Sequence, residues 1–197
     1  MKFIYPQGAT PLNADCAAQL IPSHITIQQQ LNEWEATNIQ EARKWAFLQR
    51  RIKNVLDIRF IKILHKKMFD KTWLWAGQWR THQTNIGVES YRIIAELGQL
   101  LDDIQFYIDE GVYDFEETAA RLHHKLVWIH PFPNGNGRFA RLMADILLFD
   151  AGKPLFDWGT NSEDNRSIYI AALQAADQFD FEPLLRFVHC KHLPEKL

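Results

Sequence analysis

Apolar residues recur at helical spacing along most of the chain. From Thr26, the positions of Leu31, Trp34, Trp45 and Leu48 mark helical apolar faces, and a break near Thr37 and Asn38 predicts two helices in tandem. Ile58, Ile61, Leu64 and Met68 share one side of a helix over 57–69; Leu97, Leu100, Leu101 and Ile104 do the same over 96–110, where Gly111 ends it. Asp114 followed by Glu117 has capping-box spacing and opens a helix running to Ile129, with Leu122, Leu126 and Ile129 as its buried stripe. Further helices are predicted over 138–151, with Gly152 just beyond, and over 163–179 and 182–190. Two stretches break this pattern. Residues 1–25 read as an irregular lead-in interrupted by Pro6, Gly8, Pro11 and Pro22. Residues 72–94 mix aromatics, two glycines and β-branched residues, and any strand or hairpin is expected there. The fold class is therefore mainly α.

Composition narrows the class without naming a function. The chain of 197 residues suits one domain with a small appendage, and 47% hydrophobic against 23% charged residues is a globular balance. A net charge of -2 provides no global basic field for nucleic acid or an anionic membrane. Two cysteines, Cys16 and Cys190, have no paired spacing, so no disulfide framework or thiolate zinc site is expected. No signal-peptide pattern or membrane-length apolar run occurs, which makes a cytoplasmic location the expectation.

The chemistry concentrates between two predicted helices, in His130-Pro131-Phe132-Pro133-Asn134-Gly135-Asn136-Gly137-Arg138 followed by Arg141. Two prolines stop the first helix, and two glycines let backbone N–H groups turn inward ahead of a new helix N-terminus, an arrangement suited to phosphate. Arg138 and Arg141 lie three apart near that N-terminus, where the helix dipole disfavours cations, so an anionic ligand would resolve the conflict. His130 closes the preceding helix, which favours its protonated form and predicts a pKa near neutrality for a general base. No Walker-type phosphate loop is present.

These residues resemble the signature of the Fic family, His-Pro-Phe-x-Asp/Glu-Gly-Asn-Gly-Arg-x-x-Arg, and match every fixed position but one. The resemblance extends to Leu64-His65-Lys66-Lys67-Met68-Phe69, Trp75-Ala76-Gly77-Gln78-Trp79-Arg80, Ile86-Gly87, Tyr169 and Ala171-Ala172-Leu173, and is strongest to the group called mobile mystery protein B. It implies a Fic-fold helical bundle with a small β-hairpin flap, as a single domain over 26–197. It also implies a protein adenylyltransferase that moves AMP from ATP, with Mg2+, onto a Ser, Thr or Tyr hydroxyl of another protein. His130 would be the base, and Gly135, Asn136 and Gly137 would hold the α-phosphate region. Arg138 would grip the β- and γ-phosphates, Arg141 would reach the γ-phosphate, and Phe132 would anchor the loop. Asn134 would face the magnesium, although its neutral amide replaces the usual carboxylate and lowers metal affinity. Asn165 and Tyr169 would line the adenine pocket, or equally pack their helix. A target segment would lie along a flap around Thr84, Ile86 and Gly87, adding hydrogen bonds as a strand does at an edge.

The resemblance also implies a brake and a partner. Thr37-x-x-x-Glu41 resembles an inhibitory motif, placed here on a helix near 37–52, from which Glu41 would pair with Arg141 and block the γ-phosphate. Asn38 and Glu41 equally have capping-box spacing. A small antitoxin-like helix-turn-helix partner is implied by the family alone, as in toxin-antitoxin pairs. Two other functions stay open at this point: a kinase like Doc, which has Ala and Lys where this chain keeps Gly135 and Gly137, and an interaction protein whose Asn134 has cost it catalysis. A metal site built on His123, His124 and His130 is disfavoured, since no acidic partner sits at ligand spacing. His65 and His82 read as packing or solvated residues, and Trp73, Trp75 and Trp79 as core rather than a base-stacking platform.

Overall fold

The computed structural model describes residues 11–48, 55–159 and 163–190. Eight α-helices are found among them: α1 Ala14–Ala17, α2 Gln28–Leu48, α3 Ile58–Phe69, α4 Ile93–Glu110, α5 Phe115–Ile129, α6 Asn136–Asp150, α7 Glu163–Ala176 and α8 Glu182–His189. The central pair is α5 against α6; α4 packs on α5, α8 on α7, and α2 lies across α3 while also touching α6. Parts of three expectations, residues 1–10 of the lead-in, 49–52 of the inhibitory helix and 191–197 of the domain, fall outside the described residues.

The break expected at Thr37 and Asn38 does not occur, because α2 runs unbroken through both. Asn38 is buried, and its amide serves another helix: Nδ2 donates to the Lys67 carbonyl at 3.0 Å, and Oδ1 accepts from Lys71 N at 3.1 Å. An asparagine that satisfies the frayed end of α3 no longer competes for its own helix backbone. Trp34 adds a bond from Nε1 to the Lys71 carbonyl at 3.0 Å.

Helix α3 starts at Asp57, whose side chain accepts from Arg59 N, and α4 stops at Gly111 in the left-handed conformation at φ 59°. The capping box at α5 is not formed, since Asp114 makes no side-chain cap bond. Glu117 instead accepts from Arg121 at 3.0 and 2.7 Å, and the Arg121 guanidinium lies 3.8 Å from the Tyr113 ring centre and 4.1 Å from that of Phe181. A one-turn ion pair held between two rings outcompetes the cap.

No strand forms in 72–94 among the described residues; the one bridge found there joins Leu20 to Trp73. Trp73 and Trp75 are buried, as core aromatics. The described end of the lead-in docks beside them: Trp75 Nε1 donates to the Cys16 carbonyl at 3.2 Å and Ile21 N to Thr72 O at 2.9 Å. Residues 80–89 are irregular, because carbonyls that a hairpin would pair are instead taken by the side chain of Arg80.

Candidate active site

Helix α5 ends at His130, a non-glycine residue in the left-handed conformation (φ 55°, ψ 59°) whose amide donates to Leu126 O. That bend turns the chain into Pro131 and Phe132. Phe132 is wholly buried, which contributes about 2 to 3 kcal/mol, and stacks on the His65 ring with centroids 3.6 Å apart. His65 is a tie between three segments: Gly77 N donates to its Nδ1 at 3.0 Å, and its Nε2 donates to the Asn134 carbonyl at 3.1 Å. The bond accepted at Nδ1 requires neutral imidazole, and burial pushes His65 down to about 3.

Asn136 folds the loop on itself. Its Oδ1 accepts from Phe132 N at 2.9 Å, its Nδ2 donates to Phe132 O at 2.8 Å, and it is 2% exposed. These bonds orient the side chain and engage one of its two Nδ2 hydrogens, and the second is the donor that the expected α-phosphate contact calls for. Gly135 opens α6 with φ 76°, and a Cβ there would lie 2.5 Å from Phe69, so only glycine fits. Gly137 has nothing within 4 Å of the same position. The loop thus keeps an uncrowded face at the N-terminus of a 15-residue helix, where backbone donors and the helix dipole favour an anion.

The arginines stand on that helix. Arg138 pairs with Glu35, NH1 to Oε2 at 2.7 Å, and lies over the Phe69 ring. Arg141 lies 5.7 Å from the Tyr169 ring centre. Burial pushes the Arg141 pKa down; Tyr169 opposes this, Arg138 and Arg166 add to it, and Asp145 opposes it one turn along α6. The guanidiniums of Arg138 and Arg166 both disfavour the charge of Arg141, which an anion bound there would offset. Behind them, the Tyr169 hydroxyl lies 2.9 Å from Nε2 of buried His123, which burial lowers to about 3. Asn165 stands half-buried on α7, one turn before Tyr169.

Burial lowers His130 to about 4, with the Val127 carbonyl opposing and Arg80 assisting, so the near-neutral value expected from the helix end is corrected. The ring is 5% exposed, and loss of water outweighs the dipole. Nδ1 faces the Val127 carbonyl at 3.3 Å; as the donor there it leaves the lone pair on Nε2.

Glu41 does not reach Arg141. It lies on the exposed part of α2 and pairs with Lys71, while Thr37 Oγ1 donates to its own helix at Glu33 O. The carboxylate that α2 does present to the arginines is Glu35, 7% exposed, whose Oε1 also accepts from Trp73 Nε1 at 2.7 Å. Six residues, almost two turns, separate the two glutamates, and only Glu35 lies on the face packed toward α6. Sequence reasoning missed Glu35 and Arg80, whereas His65 is the packing residue it was read as; a charged residue inside an aromatic run, as at Arg80, was the available signal.

The residues do not fit a protein-held magnesium. Asn134 is neutral, its Oδ1 accepts from Gly135 N at 2.7 Å, and no group of three His, Cys, Asp or Glu suited to a metal occurs among the described residues. His124 pairs with Asp177 at 2.8 Å and stands apart from His130 in function, as does His123 behind the arginines.

Thr84, Ile86 and Gly87 form a turn over His130. Thr84 Oγ1 donates to Ile86 O at 2.6 Å, Ile86 is exposed, and a Cβ on Gly87 (φ 110°) would meet His130 Cβ at 2.6 Å.

Residues 55–148 match the profile of the Fic/DOC family. The chain contains a Fic/DOC family domain. Protein adenylyltransferase fic-1 of Caenorhabditis elegans is 35% identical over 122 residues, covering 59% of this chain and 23% of that protein. Protein adenylyltransferase Fic of Aedes aegypti is 31% identical over 116 residues, covering 57% and 23%. The Fic domain chain thus spans about a quarter of the length of these curated relatives. Among solved structures, the BepC protein of Bartonella tribocorum with bound AMPPNP has a TM-score of 0.66 at 20% identity, covering 83% of this chain and 87% of that one. A Fic-1 fragment from C. elegans has a TM-score of 0.64 at 24% identity, covering 86% and 50%. Both share the Fic fold.

Proposed function

We propose that this protein is an adenylyltransferase that moves AMP from ATP onto a hydroxyl of another protein. The observation that carries the reading is the neutral, buried His130 one loop away from a helix N-terminus bearing Arg138 and Arg141. The names of the relatives, both protein adenylyltransferases, support it. At neutral pH the His130 Nε2 lone pair accepts the proton of the attacking hydroxyl. The hydroxyl oxygen forms a bond to the α-phosphorus, the bond from that phosphorus to the α–β bridging oxygen breaks, and pyrophosphate departs. Backbone N–H groups of Asn136 and Gly137 and the two arginines hold the phosphates and offset charge as it moves to the leaving group. Tyr169 and Asn165 flank this site on α7 and are assigned to the adenosine end. The turn at Thr84, Ile86 and Gly87 docks the target segment.

Magnesium, when bound with ATP, would offset phosphate charge, and the chemistry assigned to this chain does not run through it. Glu35 takes over the restraining role first expected of Glu41, because it is the carboxylate that occupies an arginine of the site. The partners assigned are a protein bearing the hydroxyl and a small antitoxin-like helix-turn-helix protein. Among the described residues no helix is long and apolar enough to cross a membrane.

Intact-protein mass spectrometry tests the reading. Wild type and His130→Ala are incubated with ATP, magnesium and a bacterial lysate. An AMP-sized addition on the protein itself or on a lysate protein, absent with His130→Ala, is expected. A phosphate-sized addition would replace the reading with a kinase, and failure to bind ATP would replace it with a docking role.

A further inference from the structure

Arg80 is 2% exposed, and among the described residues no carboxylate forms an ion pair with it. Its guanidinium is satisfied by four main-chain carbonyls. Nε donates to His130 O at 2.6 Å, NH1 to His82 O at 3.0 Å, and NH2 to Val88 O and to Ile129 O, the latter at 3.3 Å. Burying an unpaired guanidinium costs several kcal/mol, so a placement like this persists only where every donor finds an oxygen. Two of these oxygens lie at the negative end of the α5 dipole, which offsets part of that cost. The other two belong to the turn carrying Thr84, Ile86 and Gly87. Main-chain bonds join the same segments: Arg80 N donates to Pro131 O at 3.0 Å and Val88 N to Ile129 O at 3.3 Å. Gly87 sits against both partners, since a Cβ there would lie 2.6 Å from His130 Cβ and 2.8 Å from Arg80 NH2.

One side chain therefore fixes two things at once. It holds the carbonyl of His130, whose left-handed backbone is unfavourable for a residue with a side chain, and it holds both ends of the 82–88 turn. We infer that Arg80 is a positioning residue of the transfer reaction, setting the distance between the His130 ring and a target segment laid along that turn. The inference rests on the transferase reading. Arg80 does not bond the 134–141 segment, so nucleotide binding and base positioning are separable.

Arg80→Lys keeps the charge but cannot bridge four carbonyls, and Gly87→Ala disturbs the same junction from the turn side. Each is assayed for folding by circular dichroism, AMPPNP affinity by calorimetry, amide hydrogen exchange, and AMP transfer at saturating ATP. Expected for at least one folded variant are AMPPNP affinity within about threefold of wild type, faster exchange in the 82–90 and 128–132 peptides together, and kcat lowered about 100-fold with an unchanged KM for ATP. Exchange that rises in only one of the two segments, or throughout the domain, overturns the clamp, as does a kcat within about threefold of wild type. If wild-type protein binds AMPPNP but transfers nothing, the transferase reading fails by itself, and the exchange data still decide whether Arg80 joins the two segments.

Discussion

Acidification should destabilise this domain at pH values well above the ordinary carboxylate range. His65 and His123 lie at about 3 and His130 at about 4 in the fold, all driven down by burial, against about 6.5 when unfolded. Between those values the unfolded chain binds protons that the fold refuses, so stability falls as pH falls. From about pH 7.5 to about pH 5.5 each histidine costs about 1.3 kcal/mol, or about 4 kcal/mol for the three. His124, also lowered by burial, acts in the same direction. Asp145 opposes them, because burial raises it from 3.8 to about 6 and the fold then takes up its proton first. Over the same interval Asp145 restores about 0.8 kcal/mol, leaving a net loss of about 3 kcal/mol, or roughly 6 to 12 °C in Tm for a chain of this size. Thermal unfolding followed by circular dichroism at the two pH values, at matched ionic strength, measures it. His123→Gln should shrink the difference by about 1.3 kcal/mol. A Tm at the lower pH equal to or above that at the higher would refute the argument, since it would mean the three rings are hydrated or already charged in the fold.

Four further substitutions have outcomes set by the geometry. Glu35→Gln keeps an acceptor for Trp73 but removes the counter-ion of Arg138, so ATP should bind about 5- to 10-fold more tightly by calorimetry, with Tm changed by only a few degrees. Gly137→Ala meets open space and should raise stability by up to about 1 kcal/mol in chemical denaturation while weakening ATP binding, whereas Gly135→Ala strikes Phe69 at positive φ and should cost more than about 2 kcal/mol. Asn134→Asp can still accept from Gly135 N and adds a hard anionic oxygen, so titrating magnesium into the ATP complex should give a tighter site than wild type.

The parts of the site that were legible in sequence are those whose logic is local. A helix stopped by Pro131, a turn that only Gly135 permits and two arginines a turn apart all lie within a dozen residues, and the structure brings them together. The helices were legible for the same reason, since 3.6-residue periodicity is a short-range signal. Residues whose partners are far along the chain were not. Glu35 meets Arg138 across 103 positions, His65 meets Asn134 across 69 and Arg80 meets His130 across 50. Short-range rules also misled where a distant partner won. The amide of Asn38 was expected to break α2 and instead completes α3, and Glu41, chosen by motif spacing, lies almost two turns from the carboxylate that faces the arginines. The His130 pKa failed similarly, because spacing conveys the dipole but not the depth of burial.

Hydrogen bonding across the 82–88 turn is unevenly shared. Its ends are held by Arg80, yet among the described residues Gln83 and Thr84 bond only within the turn, Gln83 Nε2 to Gly87 O and Thr84 Oγ1 to Ile86 O. Residues 83–86 can therefore be exchanged by drift or by design without reshaping the chain around His130. New recognition would evolve there as a cassette, with the 130–138 loop inherited unchanged.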